Sequence, residues 1–220
     1  MKKIILTIGI ILMSASIAFS AERPKLTLGV SGTLGALDAK GSETNTNSVT
    51  VSKTKELGYG YASIFAEVNL GPFLRIGADY LPSGISTETT ENVRVSNDDS
   101  TRDGTNKVQV DINNIMSYYV SAYLPGPLEG LFLRAGTTEG DIVTNEVLFT
   151  GSSYANATLK GNFYGVGYER NLDNGIFVRG MVAESEFDSI TIAATGGESN
   201  SVTVNNMSGM SGTISVGKTF

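Results

Sequence analysis

From Leu26 onward the chain alternates apolar and non-apolar residues with a period of two, which restricts it to β-structure. Leu26, Leu28, Val30, Leu34 and Ala36 fall on one side; Thr27, Gly29, Ser31, Thr33 and Gly35 fall on the other. Successive strand side chains point to opposite faces, so each such segment has one apolar face and one face of small and polar groups. Ala62, Ile64, Ala66, Val68 and Leu70 repeat the pattern against Tyr61, Ser63, Phe65, Glu67 and Asn69. Leu74, Ile76, Ala78 and Tyr80 do so against Phe73, Arg75, Gly77 and Asp79. Residues 108–124 place Val108, Val110, Ile112, Met116, Tyr118, Val120, Ala122 and Leu124 on one face. Residues 131–138, 159–170, 176–186 and 207–220 complete eight predicted strands, and no segment sustains a helical period.

Connections alternate in kind. Gly71-Pro72, residues 125–130 and residues 171–175 are short and built of turn formers. Residues 38–58, 82–107, 139–158 and 187–206 are long and polar. Val49 with Val51, Val93 with Val95, and Val202 with Val204 predict hairpins that continue past the main sheet. Three strands also open alike after short turns: Phe73-Leu-Arg75, Phe132-Leu-Arg134 and Phe177-Val-Arg179.

Before the first strand, Met1-Lys2-Lys3, an apolar run from Ile4 to Met13 and the small residues Ala18-Phe19-Ser20 have the three-part form of a secretory signal. Cleavage is expected after Ser20, leaving residues 21–220 as one domain. The apolar run is too short for a membrane anchor, since a spanning helix needs roughly 20 apolar residues. The 220 residues include no His, no Cys and no Trp. These absences remove disulfides, thiolate chemistry, cysteine lipidation, the usual general base and the commonest metal ligand. With 22 acidic against 16 basic residues, nucleic acid is not an expected partner.

Two all-β architectures use such alternation. A secreted sandwich turns its apolar face to a core and a charged face to water. A membrane barrel turns its apolar face to lipid and encloses polar groups. The non-apolar faces here carry small residues, tyrosines and isolated charges, as a narrow interior requires. The last segment ends Ile214-Ser-Val216-Gly-Lys-Thr-Phe220, with Ile214, Val216 and Phe220 on one face. On these residues, the alternating strands and the alternating connections, residues 21–220 resemble the small eight-stranded outer-membrane β-barrel family, the OmpA-like and OmpX-like proteins.

The resemblance implies an all-β, eight-stranded, antiparallel up-and-down transmembrane barrel in the cell outer membrane. It further implies contact with lipid and lipopolysaccharide, delivery by the barrel-assembly machinery through Ile214, Val216 and Phe220, and a monomeric, non-enzymatic state without a cofactor. A ligand could meet the extracellular loops, and a narrow channel is the competing function. Lys218 stands where the family often has an aromatic residue. The interfacial girdle falls to Tyr59, Tyr80, Tyr118, Tyr164 and Tyr168. Enzymatic members of such barrels resemble one another in needing a His, which this chain lacks.

Candidate chemistry is sparse. Glu184 with Glu186, and Asp98 with Asp99, are the available carboxylate pairs, better read as rim charge. Asp99–Gly104 begins like a calcium loop but has Val110 where the twelfth-position carboxylate belongs. Gly165-Val-Gly167 lies within a strand and relieves crowding. The informative charges are Glu67, Arg75, Asp79, Arg134, Glu169 and Arg179, which all point into a barrel whose apolar faces meet lipid. A turn centred on Gly71 would pair Glu67 with Arg75, and one centred on Asn174 would pair Glu169 with Arg179. Arg134 faces Ser121 and Tyr123, so its partner must come from a neighbouring strand or from water. A mutually paired network that fills the lumen is favoured over a selectivity ring.

Overall fold

The computed structural model describes residues 24–44, 50–94, 104–148, 153–195 and 200–220. The expected signal sequence and its cleavage site, Asp98, Asp99 and most of the calcium-like loop lie outside these residues. Twelve strands are assigned: β1 (Lys25–Thr44), β2 (Thr50–Asn69), β3 (Leu74–Leu81), β4 (Ile85–Ser86), β5 (Thr90–Arg94), β6 (Gly104–Tyr123), β7 (Leu131–Val147), β8 (Ser153–Tyr154), β9 (Ala157–Asn171), β10 (Ile176–Phe187), β11 (Ile190–Thr195) and β12 (Ser201–Thr219). Eight of them close a ring in the order β1-β2-β3-β6-β7-β9-β10-β12, with β12 pairing back onto β1. All pairings are antiparallel.

Closure decides between the two sequence-based architectures, because a sandwich keeps two open sheets. Three hydroxyl pairs line the closing seam inside the barrel: Thr27 with Thr219, Ser31 with Ser215 and Thr33 with Thr213, each 2.9 Å apart. Outside, Leu28, Val30, Leu34, Ile214 and Val216 are exposed. The burial order is therefore inverted relative to a soluble protein: Thr27 is 0% exposed and its outward neighbour Leu28 is 46%. Only a hydrocarbon surround makes that inversion favourable, and only closure satisfies the backbone within it. Among the described residues no helix is long and apolar enough to cross a membrane.

The segments read as long loops are largely strand. β1 and β2 stay in register to Thr44 opposite Thr50, and β6 and β7 to Lys107 opposite Val147. The short alternations at Val51, Val93, Val202 and Val204 fall within these paired extensions, as hairpins continuing past the main sheet require, while Val49 and Val95 lie outside the described residues. The extended ladders continue the pairing already set below.

A bulge corrects one face assignment. Asn113 pairs with Asp141 and Met116 with Glu139, so β6 holds one extra residue there, and Asn114 has φ +52°. The extra residue reverses the alternation. Ile112 joins Ile115 and Ser117 in lining the interior, while Met116 and Tyr118 share the other face.

The interior is narrow, and its large rings lie over glycines. Phe65 faces Gly29, Tyr59 faces Gly35, Tyr119 faces Gly77, Phe132 faces Gly167, Phe163 faces Gly136 and Phe177 faces Gly217, each as a directly opposed cross-strand pair. A Cβ on any of these glycines would collide with the ring above it. The 26 glycines thus answer in part to interior volume. Tyr59 belongs to this inner set and stacks on Tyr61, so it is not in the outer girdle. Tyr118, Tyr164 and Tyr168 do face outward.

Candidate functional site: an ion-paired lumen

Short turns bring charged residues to one depth of the barrel. Glu67 lies near the end of the inward row of β2, one inward position before Asn69, Arg75 begins that of β3, Arg134 follows the second short turn, and Glu169 and Arg179 flank the turn at Asp173–Gly175. All five point inward because each sits an even number of residues from a lumen-facing neighbour on its strand. Glu67, Glu169, Arg134 and Arg179 are buried.

Arg179 is the centre. Its Nη1 donates to Glu67 Oε1 at 2.7 Å and its Nη2 to Glu67 Oε2 at 2.9 Å. The same Nη2 donates to Glu169 Oε2 at 2.9 Å, and Nε does so at 3.1 Å. Arg75 donates twice to Glu169, both at 2.8 Å. Arg134 donates to Glu67 Oε1 at 2.8 Å and to Ser121 Oγ at 2.9 Å. Tyr119 and Tyr123 add hydroxyl bonds to Glu67 and Glu169 at 2.9 and 2.7 Å. The guanidiniums also lie over rings: Arg134 is 3.8 Å from the Tyr119 centroid, Arg75 4.2 Å from Tyr123 and Arg179 4.8 Å from Phe177. Buried charges cost several kcal/mol each in desolvation, and only saturation of this kind offsets it.

Two sequence-based pairings need amendment. The first turn centres on Pro72, with Leu70 N–H donating to Leu74 O at 2.8 Å. Pro72 has no N–H to close a tighter turn. Glu67 therefore opposes Gly77, and Asn69 opposes Arg75. Arg75 Nη1 stays 3.5 Å from Glu67, but its bidentate partner is Glu169. Glu169 and Arg179 are directly opposed. Arg134 faces Ser121 in register and takes its carboxylate, Glu67, from across the lumen.

Asp79 stands apart from the five. It accepts from Ser63 Oγ at 3.1 Å and lines a cavity of about 130 Å³ on the long-hairpin side of the network. Glu184 and Glu186 are exposed on the outward face of β10, just past Val182. Among the described residues no cluster of three or more His, Cys, Asp or Glu could hold a metal.

Sequence reasoning set Ser121 and Tyr123 opposite Arg134 but passed over Tyr119 and the rings of Phe65, Phe132 and Phe177 as members of the cluster. The rings carried a signal: Phe65, Phe132 and Phe177 each stand two residues before a buried charge on the same strand face, and Tyr119 stands two residues before Ser121.

A closed eight-stranded ring, a lipid-facing belt and an ion-paired interior define a transmembrane β-barrel of the outer-membrane type. Ile214, Val216 and Phe220 are all exposed on its outer side, and Phe220 N–H donates to Leu26 O across the closing seam. No family model matches the chain, and no curated protein matches its sequence. Solved structures do resemble it. Neisserial surface protein A is 12% identical with a TM-score of 0.39, over 86% of this chain and 97% of that one. Ail, the attachment invasion locus protein of Yersinia pestis, solved with the heparin analogue sucrose octasulfate, is 10% identical with a TM-score of 0.35, over 87% and 99%. The outer membrane protease OmpT from Escherichia coli is 13% identical with a TM-score of 0.44, over 92% and 100%.

Proposed function

We propose that the protein is a non-enzymatic outer-membrane barrel with a structural or surface-interaction role, closed internally and presenting four long polar hairpins outside the cell. The observation that carries this reading is the buried network of Arg75, Arg134, Arg179, Glu67 and Glu169, whose donors are spent on one another and not on a passing ion. An interior of eight strands is just filled by side chains. The absence of His and Cys, and the outward placement of Glu184 and Glu186, support a non-catalytic role.

In this reading the belt contacts lipid and lipopolysaccharide, and the chain works as a monomer. The face carrying Ile214, Val216 and Phe220 is read by the assembly machinery, and any external ligand meets the hairpins. Planar-bilayer recording on refolded, heat-modifiable protein tests the closed lumen. The expected result is no steady conductance; a stable ion current in the wild type would replace the structural role with that of a narrow channel. Epitopes inserted at Asn200 should be labelled on intact cells, and epitopes at Gly71 should not.

A further inference from the structure

The lumen changes character above the ion pairs. On the long-hairpin side, Leu37, Leu57, Ile112, Ile115, Leu159 and Phe163 turn inward around the cavity of about 130 Å³. Such a mainly aliphatic wall differs from the network side of the interior, where the apolar inward residues are rings such as Phe65, Phe132 and Phe177 set among charges and hydroxyls. The cavity also has a specific origin. Gly29, Gly35, Gly77, Gly136, Gly167 and Gly217 are covered by an opposed ring and Gly140 by Ile112 and Ile115, but Gly165 lies across from Ala183 and Gly209 across from Ser185. Ala183 and Ser185 both line the space that the missing rings leave.

We propose that this cavity is a binding site for a small neutral molecule with an apolar body of single-ring size and one hydroxyl. The volume sets the body: an engineered apolar cavity of about 150 Å³ admits benzene. Charge sets the class. Asp79 and Arg134 are the charged lining groups, one of each sign, so the site has no net charge with which to hold an ion. Arg134 is already engaged by Glu67 and Ser121, whereas Asp79 accepts from Ser63 through one oxygen, Oδ2. A hydroxyl donor reaching Asp79 while a ring rests on the aliphatic wall satisfies both features. The site lies above the occluding network, so it goes beyond the structural role and does not depend on the hairpins' ligand.

The test uses the refolded full barrel in lipid nanodiscs, free of detergent chains that would compete for the space. Benzyl alcohol, toluene and benzoate are titrated, with binding read from ligand-observed NMR and from tyrosine fluorescence. Benzyl alcohol is expected to bind about tenfold more tightly than toluene, the worth of one hydrogen bond to a charged acceptor, and benzoate is expected not to bind. Asp79→Leu should abolish the difference between alcohol and toluene while toluene still binds. Ala183→Phe sets a ring opposite Gly165, as at the other glycines, and should remove binding of both while the heat-modifiable barrel persists. Should Ala183→Phe fail to fold, Ser185→Leu fills the same space from the next inward position. Absence of benzyl alcohol binding, equal binding of benzoate, or undiminished binding in a folded, filled variant would each overturn the proposal.

Discussion

Arg75 and Glu169 lie 94 positions apart on strands that share no ladder, yet they meet in the lumen through two parallel hydrogen bonds of 2.8 Å. The pair spans the barrel as a strut. Arg75→Met should destabilise the refolded protein by about 3–5 kcal/mol, because it strips Glu169 of its bidentate partner in a buried site. Adding Glu169→Gln should recover part of that loss, with a coupling of about 0.5–3 kcal/mol. Adding Glu67→Gln instead should recover less. Urea unfolding in lipid vesicles measures both cycles, and a stronger coupling to Glu67 would place the first turn in the wrong register.

Arg179 makes four hydrogen bonds to the two carboxylates through three nitrogens spread over a planar fork. Arg179→Lys keeps the sign but gathers three donors on one nitrogen, so at least one charge-assisted hydrogen bond disappears. A loss of about 1.5–3 kcal/mol per missing bond is the upper range, before the neighbours relax. The same unfolding assay should rank Arg179→Lys below Arg75→Lys in stability.

Two glycines on β1, three residues apart, should respond in opposite ways to alanine. Gly29 faces inward beneath the ring of Phe65, so Gly29→Ala overpacks the lumen and should cost about 1–3 kcal/mol. Gly32 meets nothing within 4 Å, and Gly32→Ala should be neutral or stabilising by about 0.4–1 kcal/mol. Pairing Gly29→Ala with Phe65→Leu should return much of the first loss. Equal effects at both positions would mean that the inner and outer faces of β1 have been exchanged.

The lipid-facing belt has an upper edge on β10, between Val182 and Glu184. Val30 lies midway along the outward row of β1 that runs from Leu26 to Leu34. Val30→Arg should therefore cost about 2–4 kcal/mol, as a charge near the bilayer midplane does. Glu184→Gln should change stability by less than about 1 kcal/mol, since it stands at the interface. Comparing the two in bilayers of different thickness locates the belt.

The fold was legible wherever lipid imposes a pattern. The outward rows through Leu28, Val30, Ile64, Ile76, Val178 and Val216 repeat with a period of two because the membrane accepts nothing else there. Above the belt that constraint lapses, and Thr50–Glu56 or Ser201–Asn205 show their strand pairing in the sequence only through Val51, Val202 and Val204, without fixing how far the ladders run. The bulge at Asn114 was hidden for a related reason: isoleucines on both sides of it let either face pass as apolar. In the site, Glu169 opposite Arg179 followed from turn geometry, since both residues border one hairpin. Arg75 with Glu169 and Arg134 with Glu67 did not. They join strands across the lumen, and the barrel's radius, not the local sequence, decides which side chains meet there.

The rings seated on glycines bear on how the chain finds its alignment during assembly. A slip of one residue along a hairpin exposes polar groups to lipid and is rejected at once. A slip of two returns every apolar side chain to the membrane, which is then blind to the error. The lumen is not blind. Displaced by two, Phe65 would land on Thr27 or Ser31 in place of Gly29, and Phe177 on Ser215 or Thr219 in place of Gly217. Each misalignment adds a clash on one strand and leaves a void over the vacated glycine. The glycines thus act as proofreading marks, checking from within the one class of misfolding that the bilayer tolerates.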